Sequence, residues 1–379
     1  MAVCGTEMSS QHAFYYVVDE RLEPVAFALA CHLVRTWRLD VHIFVEGGAT
    51  SAKRRAAVPG VYYHENELSC LLPDGVPSSE KWPRIVYLRI FAPRFLKQYE
   101  RVIYLDADLL PIRRDDRIWS LPLPHGLAAT HDFEVTHDSP LPEMSRTEWL
   151  ASIGVHAPQY LNSGVLVIDV AAWLELDFAA LLQDYVAAHA NGMRMFDQDF
   201  LNAVFQERWS GLSPSWNFQA CLFSVGIDDA FPPIFLHFSK PDKPWMGRFR
   251  EGVDDLDNWG YQYLSKAARR AGVDMNGLLS PKKINVLSRL KYDFRRHISG
   301  LGYRPSKERK LRGEVALRRE NLIAYLADVK ARGGFADRRE YEIPSSFREA
   351  VFDGKTLRLP AGGQFNDLLM MVELVEDMA

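Results

Sequence analysis

Short apolar runs alternate with longer mixed stretches over the first two thirds of the chain. His12 to Val18 (HAFYYVV) is aromatic and β-branched and predicts a first strand, ending in Asp19-Glu20. Val25 to Trp37 has helical length and apolar content, with Pro24 where a helix begins. Val41 to Val45 (VHIFV) predicts a second strand, a basic helix is expected over Ser51 to Ala57, and Val61 to Tyr63 predicts a third strand. This strand–helix rhythm implies right-handed crossovers and a mostly parallel sheet, the α/β class. No Gly-x-Gly-x-x-Gly turn follows the first strand, which argues against a dinucleotide site.

Ser79 to Tyr99 mixes an apolar helical pattern with Arg84, Arg89 and Arg94. Val102 to Leu105 is a nearly continuous apolar run, as in a strand buried on both faces, and Pro111 discourages sheet pairing beyond it. Leu127 to Thr130 predicts a strand ending near Asp132, and Thr136 to Tyr160 is polar, Pro-punctuated and loop-like. Tyr160 to Asp169 opens with Asn162-Ser163-Gly164 and continues as a β-branched strand. An amphipathic helix over Trp173 to Ala190 precedes a helix that starts at Phe196 to Asn202. Pro233 to Leu236 predicts a last short strand before His237 and Lys243-Pro244-Trp245.

The C-terminal third reads differently. Helices are expected over Asp254 to Ala271 and Glu314 to Ala331, and Asp353-Gly354 suggests a terminal hairpin before a short helix. Over Pro281 to Ile298, Ile284, Leu287, Leu290, Phe294 and Ile298 recur at helical spacing among Lys282, Lys283, Arg289, Lys291, Arg295 and Arg296. Basic residues continue through Arg312. Such a helix suits an anionic membrane surface and equally a solvated face on a packed helix. The expected division is a catalytic domain at 12–250 and a helical, basic region at 251–379.

At 379 residues, 47% hydrophobic and 25% charged, the composition is that of a globular protein, and a net charge of −4 gives no pull toward nucleic acid. The four cysteines lack metal or redox spacing, and no secretory signal or bilayer-length apolar run stands near the N-terminus. The expectation is a cytoplasmic protein, with peripheral membrane contact through 281–312 open.

The chemistry centres on Asp106-Ala107-Asp108 after the buried strand. At strand spacing these two carboxylates point the same way, and two such charges call for a cation between them. An Asp-rich helix cap uses the same residues. His237 at a strand end is a candidate third ligand or a packed histidine, Lys243 a candidate phosphate contact, and Arg89 an anion-reaching or a solvated arginine.

Together these motifs resemble glycosyltransferase family 8, which includes lipopolysaccharide galactosyl- and glucosyltransferases and glycogenin. The resemblance runs from about Phe14 to Trp245 and rests on Asp106-Ala-Asp108, Asn162-Ser-Gly164, Asp197-Gln198-Asp199 with Leu201-Asn202, and His237 with Lys243-Pro-Trp245. It implies a glycosyltransferase-A, Rossmann-like fold with a mixed sheet, and a retaining transferase using a nucleotide sugar, UDP-galactose or UDP-glucose. It also implies Mn²⁺ or Mg²⁺ held by Asp106, Asp108 and His237. Lys243 would contact the diphosphate. Asp19, Arg89, Asp106, Ala107, Asp132, Asn162 and Ser163 would bind the donor, Asp197 would meet sugar hydroxyls, and Gln198 would lie beneath the anomeric carbon. Two positions depart from the family. Asp19-Glu-Arg-Leu22 lacks the aromatic ring that packs on uracil, and Lys240 replaces a usual glycine.

The expected activity is hexosyl transfer to a saccharide or lipid-linked saccharide acceptor in cell-envelope glycan synthesis. The alternatives are a degenerate transferase fold acting as a membrane-associated assembly protein, and a phosphohydrolase with Asp106 as nucleophile. Leu110 stands where the phosphohydrolase signature has Thr or Val.

Overall fold

The computed structural model describes residues 11–47, 58–80, 82–134, 143–239, 243–246, 256–275, 278, parts of 286–302, 306–343, 351–352 and 357–358. Ten strands belong to the main body: β1 (His12–Asp19), β2 (Asp40–Glu46), β3 (Val61–Glu65), β4 (Arg101–Leu105), β5 (Leu109–Pro111), β6 (Leu127–His131), β7 (Leu161–Asp169), β8 (Ser210–Leu212), β9 (Phe218–Gln219) and β10 (Phe235–His237). Seven of them form one sheet in the order β3-β2-β1-β4-β7-β6-β8. Four pairings are parallel, while β4–β7 and β6–β7 are antiparallel, so the sheet is mixed and mostly parallel. All five residues of β4 are buried, as its unbroken apolar run predicts for a strand covered on both faces.

Helices α1 (Glu23–Trp37), α2 (Arg146–Ser152), α3 (Val170–Leu174), α4 (Phe178–His189), α5 (Asp197–Phe205), α6 (Ala220–Val225) and α7 (Leu256–Arg270) follow, and a long helix, Ser306–Ala331, closes the described core. One hydrophobic core, with α1, α6, α7 and Ser306–Ala331, covers one face of the sheet, and a second, with α4 and α5, covers the other. Tyr263 of α7 donates its hydroxyl to Pro111 O and meets His32 of α1, tying the C-terminal region to the sheet.

Several expectations change. Ser79 to Tyr99 is not an α-helix but two 3₁₀ turns, Arg84–Ile90 and Ala92–Phe95. Pro93 lacks an amide proton, and the Arg89 and Ile90 carbonyls accept from the Tyr15 hydroxyl (3.0 Å) and Trp173 Nε1 (2.9 Å), so α-helical bonding is displaced. The expected loop at 136–160 contains α2, started by a capping box in which Ser145 and Glu148 exchange hydrogen bonds. The single helix over 173–190 is two, α3 and α4, because Asp169 and Asp177 each cap a new start.

Pro111 does not end pairing: β5 pairs antiparallel with β10 in a second sheet of order β5-β10-β9, where an edge position tolerates proline. The terminal hairpin is present as Val351–Phe352 against Leu357–Arg358. The helix expected over Ser51 to Ala57, Lys240 and the short terminal helix lie outside the described residues.

Candidate active site

The site lies where β4 ends. Asp106 and Asp108 converge through a turn rather than by strand alternation, with Leu109 N–H donating to Asp106 O at 3.1 Å. This corrects the expectation of two side chains on one strand face. Asp106 N–H donates to Gly164 O (2.9 Å), while Tyr104 OH donates to its carboxylate Oδ1 (2.6 Å). Opposite, the β5–β10 register sets His237 against Leu109, next to Asp108. His237 Nε2 lies 3.3 Å from Asp108 Oδ1 and 3.9 Å from Asp106 Oδ2. A Cβ on Gly164 would come 2.6 Å from His237 Cε1, so the glycine is what admits the imidazole. Ligand atoms from Asp106, Asp108 and His237 all lie within 4.8 Å of one another, close enough to share one ion.

Cations surround these carboxylates. Lys243 Nζ donates to Asp108 Oδ2 (2.5 Å) and to Phe238 O (2.8 Å). Burial pushes the Asp108 carboxyl up, but Lys243 and His237 overcome it and hold it well below the usual carboxylate range. Arg89 is buried rather than solvated, and it pairs with two protein carboxylates. Nη1 lies 2.9 Å from Asp106 Oδ1 and donates to Ser163 O (3.2 Å), and Nε is 3.3 Å from Asp197 Oδ2. The guanidinium also stands 4.5 Å over the Tyr104 ring.

A second polar cluster adjoins the first. Asp132 Oδ2 accepts from Asn162 Nδ2 (2.8 Å) and Gln198 Nε2 (2.9 Å), and Gln198 Oε1 accepts from Ser163 N–H (3.0 Å). Asn162 Oδ1 in turn accepts from Asn217 Nδ2 (2.7 Å), and Asn217 Oδ1 is 2.8 Å from His237 Nδ1. Asn217 is fully buried and links the His237 imidazole to the Asn162–Asp132–Gln198 chain. Sequence reasoning missed it. It lies in the 3₁₀ turn Pro214–Asn217, and its one local signal is an amide between Trp216 and Phe218. With Asn217 Oδ1 accepting from Nδ1–H, His237 turns its Nε2 toward the carboxylates.

The entry to α5 is held under strain. Phe196 has φ 50°, a conformation L-residues rarely adopt, immediately before Asp197. Asp199 clamps that turn: its Oδ2 accepts from Arg194 N–H (2.7 Å) and Met195 N–H (2.8 Å), and its Oδ1 from Tyr160 OH (2.5 Å). Asn202 stitches α5 to β7 through the Leu161 N–H and C=O, at 2.7 and 3.0 Å. Asp197 Oδ2 is buried without a hydrogen-bond partner among the described residues, because Arg89 Nε donates to Val86 O instead. Burial pushes the Asp197 and Asp199 carboxyls up to about 6 each. The Arg89 guanidinium opposes the shift at Asp197, and the Tyr160 hydrogen bond opposes it at Asp199.

The structure therefore gathers Arg89, Asp106, Asp108, Asp132, Asn162, Ser163, Asp197, Gln198, His237 and Lys243 into one contact network. Ala107 is the buried middle of the turn. Asp19, at the end of β1, accepts from Leu22 N–H (2.9 Å) and makes no bond to that network among the described residues.

Replacing Asn217 by Leu strips the partner from His237 Nδ1 and one from Asn162. Mn²⁺ affinity, measured by calorimetric titration, should fall about 10–100-fold. Asn217→Asp, which keeps the acceptor for Nδ1, should recover most of it. Asp197 binds its proton more tightly in the fold than in the unfolded chain, whose carboxyl titrates near 3.8. Its stability contribution is complete below pH 3.8 and is lost as pH rises through about 6. Asp197→Asn should match wild type in urea unfolding near pH 4 and gain on it steadily toward pH 7.

Comparison with known proteins places this geometry. The sequence profile "Glycosyl transferase family 8" matches residues 50–248. General stress protein A of Bacillus subtilis (strain 168) is 26% identical over 189 residues, 45% of this chain and 63% of that protein. Lipopolysaccharide 1,2-glucosyltransferase of Escherichia coli (strain K12) is 25% identical over 191 residues, 48% of this chain and 53% of that protein. The chain thus spans less than two thirds of the length of these curated relatives.

Among solved structures, the galactosyltransferase LgtC in complex with donor and acceptor sugar analogs aligns with TM-score 0.53 and 20% identity, over 68% of this chain and 95% of that one. The apo bifunctional glycosyltransferase WbbM aligns with TM-score 0.51 and 19% identity, over 70% and 51%. These likenesses establish the glycosyltransferase-A fold with its mixed central sheet. With just over half of its 379 residues under the family profile, the chain belongs to glycosyltransferase family 8.

Proposed function

We propose that this transferase moves a hexose, galactose or glucose, from a uridine diphosphate sugar to a saccharide acceptor of the cell envelope, with retention of anomeric configuration and with a divalent metal. The observation that carries the reading is the convergence of Asp106, Asp108 and His237 on one point beside the Asp132–Asn162–Gln198 cluster. Two carboxylate oxygens and an imidazole nitrogen suit Mn²⁺ or Mg²⁺. Nε2 of His237 faces an Asp108 carboxylate oxygen at 3.3 Å, and a divalent ion would draw its ligands from both. Bound there, the ion would supply charge neutralisation for the diphosphate leaving group.

The chain's own groups divide the remaining work. Lys243 would exchange Asp108 for a diphosphate oxygen as a second cation. Arg89 holds Asp106 and Asp197 in place from beneath. Asp197, whose Oδ2 accepts no hydrogen bond among the described residues, would with Asp132 and Asn162 offer hydrogen bonds to sugar hydroxyls. Gln198 has its carboxamide bonded at both ends and is a poor nucleophile, which favours front-side attack with Gln198 stabilising positive charge at the anomeric carbon. The Ala107 and Ser163 backbones would line the donor, with Asp19 toward the base. Residues 12–250 carry this chemistry, and 251–379 form the appended region.

Incubation with Mn²⁺ and UDP-galactose or UDP-glucose should release UDP slowly even without acceptor. A chelator should abolish this release, and Asp108→Asn or His237→Ala should lower it by about 10²–10³-fold. Chelator-resistant turnover at the wild-type rate in those variants would contradict the reading.

The basic segment supports a membrane-bound acceptor. At its described helical positions Val286, Leu287, Leu290 and Phe294 are between 60% and 75% exposed, within a segment rich in Lys and Arg. Among the described residues no helix is long and apolar enough to cross a membrane, so the contact would be with the surface. The protein should sediment with phosphatidylglycerol vesicles and less with phosphatidylcholine. Leu290→Ser with Phe294→Ser should release it, and equal sedimentation of the two proteins would refute the contact.

A further inference from the structure

A second cavity, of about 650 Å³, opens beside the sheet edge at β8, away from the ion-binding carboxylates. One wall comes from within the family-matched stretch, with Gln159, Glu207, Ser210 and Gly211. The other comes from chain beyond it, with Tyr325, Arg332 and Arg339. Its volume falls within the roughly 300–1,000 Å³ of ligand clefts.

The outer wall is fixed rather than draped. Asp337 accepts from Ser213 N–H (2.7 Å), Ser213 Oγ–H (2.7 Å) and Trp216 Nε1–H (3.0 Å). Ala336 N–H donates to Gly211 O at 2.9 Å, and Arg338 donates to Ala230 O. Gly333 and Gly334 turn at φ 100° and 87°, and a Cβ on Gly334 would meet Arg339 O at 2.5 Å. The turn after Ser306–Ala331 is thus pinned to the very segment that carries Asn217.

Within this rigid frame, the side chains of Gln159, Glu207 and Arg339 have no hydrogen bond or ion pair among the described residues. Gln159 is half-buried and Glu207 and Arg339 are exposed, so all three long polar groups are free to reach a ligand held in the cleft. Tyr325 adds an aromatic wall, stacked on His131 at 4.5 Å and edge-on to Phe133 at 5.5 Å. Those two residues flank Asp132, and Gln159 precedes Tyr160, whose carbonyl accepts from Asp132 N–H at 2.8 Å. The cleft is thus joined to Asp132 through its chain neighbours on both sides. Its mixture of aromatic, carboxamide, carboxylate and guanidinium groups is too polar for acyl chains and of mixed sign for nucleic acid, and it matches the hydroxyls and C–H faces of sugars.

We propose that this cleft binds an oligosaccharide segment of the acceptor, with Arg339 on an acidic substituent. The proposal rests on the transferase reading and deepens it. The full chain would be titrated with a panel of short oligosaccharides, neutral and uronate- or phosphate-bearing, followed by saturation-transfer NMR. Donor hydrolysis by wild type would be measured in parallel.

The expected result is binding of acidic members, weakened about tenfold by Arg339→Ala and by Gln159→Ala, with melting temperatures at the wild-type value. Affinity unchanged in both variants would overturn the assignment, as would a panel that fails to bind while wild type turns over donor. Absence of donor hydrolysis in wild type would sink the transferase reading instead, and the cleft would then stand or fall on the titration alone.

Discussion

Asp106 and Asp108 face the same small space at the end of a fully buried strand, and their mutual repulsion constrains everything near them. Two unit charges about 4 Å apart repel by roughly 4 kcal/mol at an effective dielectric of about 20. The fold answers with three cationic or ion-directed groups from distant parts of the chain. Arg89 approaches from the 3₁₀ turn, Lys243 from beyond β10, and His237 from β10 itself. Gly164 makes room for the imidazole, and the small β5–β10–β9 sheet exists to bring it alongside.

From this constraint the second cluster follows. Asn217 accepts from His237 Nδ1, so that Nε2 faces the carboxylates, while its amide group holds Asn162. Through Asn162 the carboxylate–imidazole cluster is joined to Asp132 and Gln198. The candidate ion ligands and the Asp132–Asn162–Gln198 cluster are thus parts of one hydrogen-bonded unit. The strained Phe196 and the Asp199 clamp fix the far end of the same unit.

What the sequence disclosed depended on how local the cause was. β1, β2, β4 and β7 were legible because burial on both faces leaves unbroken apolar runs in the chain itself. The 3₁₀ turns over 84–95 were not. The bonds that displace the helix come from Tyr15 and Trp173, 74 and 83 residues away from their acceptors, and no local window contains them. Asp106, Asp108, Gln198 and His237 were marked by motif. The engagement of Arg89 and Lys243 with carboxylates, and the role of Asn217, required the folded backbone.

The central claim is that one ion is shared by three side chains. Crystals grown with Mn²⁺ and measured for anomalous scattering at the manganese edge test it most directly. The account predicts a single strong peak within bonding distance of Asp106, Asp108 and His237 together. A peak that contacts only one of them, or none between them at saturating Mn²⁺, would contradict it.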